Sequence, residues 1–135
     1  VVKWPMNATS GSSSLIRKRH FQHASSDIGV VVAGGNGQGS ALNQLDSPTF
    51  VLVDQYGTIY VSETLNNRIT KWLSGSSTGI VIAGGSLGLG LNQLGTNYGI
   101  RFDTNGNLYV ADCVPQRVLK YQIINPCSSG GEHRL

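Results

Sequence analysis

The residues of this chain whose types suit chemistry are three histidines, two cysteines and a glycine-dense run. His20 and His23, in HFQH, offer two imidazoles close together, but no carboxylate or thiolate stands with them to complete a metal-ligand set. His133 lies far off, near Leu135. GGNGQG at 34–39 has the glycine density of a phosphate loop, yet it lacks the Lys and the following helix that a P-loop needs. No serine sits in a G-x-S-x-G elbow. Cys113 and Cys127 form neither a C-x-x-C nor another metal spacing, and free thiols and a disulfide both stay open. The expectation is a chain with no catalytic residue, no metal and no cofactor.

The charged residues read as structural. Asp54 and Asp103 each stand three residues before a glycine, Gly57 and Gly106, a spacing that suits an Asp capping a hairpin turn whose Gly takes a positive φ. Glu63 precedes Arg68, and Asp112 precedes Arg117, at one shared spacing, which predicts ion pairs across the mouth of a hairpin. The run Arg17-Lys18-Arg19 is flanked by serines. It reads either as a solvated loop or as a docking element for phosphate or an acidic partner.

These residues fall into register because the chain is written twice. DQYGTIYVSETLNNRITKW at 54–72 returns 49 residues later as DTNGNLYVADCVPQRVLKY at 103–121. Upstream, GVVVAGG at 29–35 matches GIVIAGG at 79–85, and LNQL at 42–45 recurs at 91–94. VVKW at 1–4 aligns with ITKW at 69–72 and gives a partial copy at the front. The composition is rich in glycine, and no apolar period of 3.6 residues outlasts a turn, so an all-β chain is predicted. Each copy predicts four strands, at 50–53, 58–62, 68–72 and 79–83, with 100–102, 107–111 and 117–121 for the next. Apolar runs such as FVLV and IVIA lack a polar face, so both faces of each sheet are expected to be covered. Four-stranded units of this length, stacked about an axis, are blades of a β-propeller.

YVSETLNNRI and YVADCVPQRV resemble the NHL repeat, a family of six-bladed-type propellers, with Pro115-Gln116 departing from its usual Asn-His. On that resemblance 1–121 is a propeller segment. Residues 1–6 and 28–35 form a partial blade carrying an insertion at 10–27, 48–84 form a full blade, and 98–121 form three strands of the next; 122–135 is a C-terminal tail. Nine strands make between two and three blades, too few to close. If each open face matches a modest interdomain contact of about 600 Å², half apolar, it forgoes roughly 7–8 kcal/mol at ~25 cal/mol/Å². Missing blades, or self-association, are therefore expected to complete the ring.

The resemblance implies a non-catalytic scaffold for a protein or peptide partner, in the manner of the propellers that stand behind ubiquitin-ligase modules. The alternatives it implies are RNA binding through a propeller face and, further off, a metal-dependent lyase or hydrolase. The expected binding face gathers the turns between second and third strands, Asn66, Asn67, Arg68, Pro115, Gln116 and Arg117, with Gln38, Asn43, Gln44, Asn92 and Gln93 nearby. No apolar run approaches the length of a membrane span. The chain opens directly on what reads as a strand, so its true N-terminus is expected to be missing. Cytoplasmic and secreted locations stay open.

Overall fold

The computed structural model describes residues 28–123. Among them the chain forms seven strands and no helix: β1 (Pro48–Val53), β2 (Ile59–Glu63), β3 (Arg68–Trp72), β4 (Ile80–Gly84), β5 (Asn97–Phe102), β6 (Asn107–Asp112) and β7 (Arg117–Gln122). They make two antiparallel meanders, a four-stranded sheet in the order β1-β2-β3-β4 and a three-stranded sheet in the order β5-β6-β7, neither closed on itself. The four strands expected over 48–84 are all present. The second sheet starts one residue earlier than expected, and β7 runs one residue into the expected tail.

The hairpins turn where the sequence places them. Asp54 N donates to the Thr58 carbonyl and Asp103 N to that of Asn107. Each carboxylate Oδ1 then accepts two further backbone N–H bonds, from Tyr56 and Thr58 at 2.9 Å each and from Asn105 and Asn107 at 2.9 and 2.8 Å. Gly57 and Gly106 close these turns at φ +79° and +80°, a region that costs any residue with a Cβ.

Register assigns each side chain to a face. Ile59 pairs with Trp72, Val61 with Thr70 and Glu63 with Arg68, so these six share one side of the first sheet, its leading face. Tyr60, Ser62 and Ile69 point to the opposite, trailing face, as period-2 alternation requires. The trailing face packs on the leading face of the second sheet: Tyr60, Ile69 and Ala83 join Leu94, Ile100, Leu108 and Val110 in one buried cluster. The Tyr60 ring meets Phe102 edge-on, with centroids 4.8 Å apart, an arrangement the ring quadrupoles favour. A second cluster of Ile59, Val61 and Trp72 lies on the leading face of the first sheet under Ala33 and Leu45.

Asn97 ties the sheets together. Its Nδ2 donates to Ser62 Oγ at 2.7 Å and to the Arg68 carbonyl, and its own carbonyl accepts from Thr64 Oγ1 at 2.7 Å. The side chain is fully buried, and its Oδ1 has no partner.

One expected strand is not formed among the described residues. In the segment 28–35, read as the last strand of a preceding unit, residues 29–35 join no ladder with another described residue, and Val30, Val31 and Val32 are exposed. A strand exists by pairing, and the neighbour the repeat assigns to it, VVKW at 1–4, lies outside the described residues. So do the insertion at 10–27, with Arg17, Lys18, Arg19, His20 and His23, and also Cys127 and His133. Cys113 is free and exposed. No helix among the described residues is long and apolar enough to cross a membrane.

Candidate binding face

Four connections meet at one end of the sheets: the β2–β3 turn, the β6–β7 turn, and the loops preceding β1 and β5. Backbone hydrogen bonds fasten them to one another, Thr64 N to the Ser47 carbonyl, Gly85 N to Asn67 and Cys113 N to Thr96. This is the end at which the sequence places a binding face.

Arg68 does not present itself there. Only 5% of it is exposed. Its Nε donates to Glu63 Oε1 at 3.0 Å, Nη1 to the Ser40 carbonyl at 2.6 Å, and Nη2 to the carbonyls of Ala41 and Gln44. Glu63 is completely buried; Thr70 Oγ1 donates to its Oε1, while Asn66 Nδ2 and Arg68 Nη2 reach its Oε2. The expected ion pair is present, but its purpose is a clamp: it holds the preceding loop against the sheet and leaves the guanidinium no surface for a partner.

Arg117 repeats the clamp bond for bond. Nε donates to Asp112 Oδ2 at 3.0 Å, Nη1 to the Leu89 carbonyl at 2.6 Å, and Nη2 to those of Gly90 and Gln93. Every acceptor stands 49 residues beyond its counterpart in the first sheet. Asp112 also accepts from Gly95 N at 2.7 Å. Arg117 retains more contact with water than Arg68, its side chain being 21% exposed.

The remaining expected face residues divide. Asn66 is spent on Gly39 and Glu63, and Pro115 stands in its place in the second copy, where no such donor exists. Asn67 and Gln116 occupy equivalent turn positions at φ +50° and +54° and reach the surface, Gln116 more than Asn67. Gln44 and Gln93 bond within their own loops, to the Asn36 carbonyl and to Gly90 N.

Sequence reasoning missed the apolar part of this end. Leu65 and Val114, equivalent residues in the two turns, are 62% and 64% exposed. Leu87, Leu89 and Leu91 in the neighbouring loop also face water. The signal was legible: an apolar residue recurs at one position of a turn that is otherwise polar. Among the described residues the lysines and the arginine outside the clamps, Lys71, Arg101 and Lys120, belong to the strands and not to these turns.

At the opposite end Asp54 and Tyr60 form a second coupled pair. The Tyr60 hydroxyl donates to Asp54 Oδ2 at 3.2 Å. Burial, then the charge of Asp54 and this hydrogen bond, push the Tyr60 hydroxyl up to about 12. Burial also pushes the Asp54 carboxyl up, but the backbone N–H groups of Thr58 and Tyr56 and the hydroxyls of Thr58 and Tyr60 outweigh it and hold the carboxyl below its ordinary value. Asp103 is lowered as well, mainly by the Asn107 amide, which donates to its Oδ2. Beside these turns a groove of about 550 Å³ runs between β1 and β5, lined by Phe50, Leu52, Tyr56, Ile100 and Phe102 among others.

No protein-family model matches the chain, and no curated protein matches it.

Proposed function

We propose that the chain is a segment of a β-propeller of the NHL-repeat type, and that it serves as a non-catalytic scaffold whose loop end holds a protein or peptide partner. The observation that carries this reading is the recurrence of the arginine clamp. An arginine guanidinium fixes the incoming loop on each sheet through the same set of carbonyls at the same spacing, as expected when one structural unit is stacked on itself.

The chemistry of the loop end favours a protein ligand over RNA. Its two arginines are consumed by Glu63, Asp112 and loop carbonyls, while Leu65, Val114 and Leu89 are exposed beside the polar Asn67 and Gln116. Protein contacts use apolar anchors within a polar rim, whereas a polyanion needs free cations.

The test is fluorescence anisotropy with a display-selected peptide and with mixed-sequence single-stranded RNA, each at low and high salt. Peptide binding that is lost in Leu65→Ser and Val114→Ser supports the reading. RNA binding that falls steeply with salt and survives both substitutions replaces it with the RNA alternative.

A further inference from the structure

Two sheet faces of this molecule are left in water, although each is the counterpart of a face buried inside it. On the trailing side, Ile69 is 0% exposed but its equivalent Val118 is 67% exposed; Tyr60 is 5% exposed and Tyr109 36%. On the leading side, Ile100 is 3% exposed and its equivalent Val51 59%. The first sheet buries its trailing face on the second, while the trailing face of the second and the outer part of the leading face of the first meet nothing among the described residues. The interface joining the two sheets is thus a template for one between molecules.

The strand that fails to form fits the same geometry. Residues 29–34 correspond in sequence to 79–84, which include β4, the strand that completes the first sheet along the edge of β3. Gly34 and Gly35 hold φ +69° and +88°, close to the +71° and +101° of Gly84 and Gly85 after β4. The segment therefore has the exit geometry of a fourth strand, and no sheet among the described residues includes it. The second sheet has three strands, and among the described residues none lies along the far edge of β7.

We propose that the chain associates head to tail with a second copy of itself. The trailing face of one copy's second sheet packs on the leading face of the next copy's first sheet, and residues 29–34 of that next copy pair along β7. This rests on the reading of the chain as stacked propeller units, and names the partner that covers the open faces. Transferred from β3 and β4, the register sets Val118 opposite Ala33, Leu119 opposite Val31 and Lys120 opposite Val30. Tyr109 then lies against Val53 as Tyr60 lies against Phe102. A single docking closes both faces and supplies the fourth strand, since the connection from 34 into β1 already follows the path that links β4 to β5. The contact is heterologous, so copies close into a ring or run on as a filament.

The test uses sedimentation velocity on the full chain over a concentration series, with far-UV circular dichroism on each sample. Val118→Glu spoils only the trailing face and Val53→Glu only the leading face. Each places an unpaired carboxylate in the contact and weakens association by about a hundredfold or more. Both sites are exposed in the separate molecule, so the β spectrum is retained. An equal mixture of the two variants keeps one good interface per pair and gives a dimer and nothing larger. A parent chain that stays monomeric with a β spectrum overturns self-association and leaves the stacked-unit reading standing. Association that persists in either variant, or a mixture that stays monomeric, also overturns it. Loss of the β spectrum in the parent chain overturns both.

Discussion

Removing the Arg68 guanidinium strands a fully buried charge, that of Glu63. In Arg68→Met, Glu63 stays wholly buried and loses both its ionic partner and the Nε hydrogen bond. It keeps Thr70 Oγ1 at 2.7 Å, Asn66 Nδ2 at 2.6 Å and the Asp46 N–H at 3.4 Å, which temper the loss without neutralising the charge. The carbonyls of Ser40 and Ala41 belong to exposed residues and turn to water at small cost. Breaking a buried pair by deleting one partner costs about 3–5 kcal/mol, and the three surviving donors place this case at about 3 kcal/mol. Arg117→Met makes the same test in the second sheet. Asp112 is also fully buried and keeps only the Gly95 N–H, so the expected loss is at least as large, about 3–5 kcal/mol. Adding Glu63→Gln to Arg68→Met removes the stranded charge and recovers much of the deficit. The assay is urea unfolding followed by circular dichroism at neutral pH, comparing midpoints at constant slope. A loss well below about 3 kcal/mol in both variants, or no recovery in the double variant, would refute the argument that a buried carboxylate sets the cost.

Further outcomes follow from the turns and the tyrosine. The Tyr60 hydroxyl titrates near 12 in the folded chain and near 10 unfolded, so its contribution is complete below pH 10 and is lost as pH rises through about 12. At about 1.4 kcal/mol per unit, tempered by water near the hydroxyl, ~1–2 kcal/mol disappears over that window, and Tyr60→Phe flattens this part of the stability–pH profile. Asp54 has the opposite sign: its lowered carboxyl stabilises the fold above its ordinary value and ceases to do so as pH falls through the lowered one. Asp54→Asn therefore lessens the acid sensitivity seen in unfolding titrations. Gln116 holds φ +54° where the first copy has Asn67 at +50°. Because Asn tolerates this region better, Gln116→Asn raises the urea midpoint by an equivalent of roughly 0.5 kcal/mol. Leu65→Ser and Val114→Ser change stability by less than about 0.5 kcal/mol, as exposed sites do, so any binding they abolish is lost at the surface.

Pairing partners were legible in the sequence wherever a short-range signal specified them. Asp54 with Gly57, Asp103 with Gly106, and Glu63 with Arg68 each sit within one hairpin, and the bonds formed are those the spacing requires. The direction in which Arg68 and Arg117 spend their remaining donors was not legible. Their acceptors are main-chain carbonyls more than twenty residues upstream, and every residue type carries a carbonyl. Arg68 and Arg117 were expected on the binding face with acidic partners; the partners are found, but Arg68 is buried in its clamp and Arg117 is partly exposed. The strand expected at 28–35 shows the same limit from the other side. Its valines carry a strong β preference, but preference makes an extended segment, and only a neighbour's edge makes a ladder.

Alone, the sequence determined the local geometry: a period of two along each strand, turns closed by Asp and Gly, and a spacing that forces equivalent residues onto equivalent sites. Those are properties of a few adjacent dihedrals and need no distant contact. The tertiary structure decided which faces are covered, which charges are buried, and that Val118 and Val51 stand in water while Ile69 and Ile100 do not. Residues alike in kind differ there because one pair has a neighbouring sheet and the other has none among the described residues, and burial is a property of the neighbour.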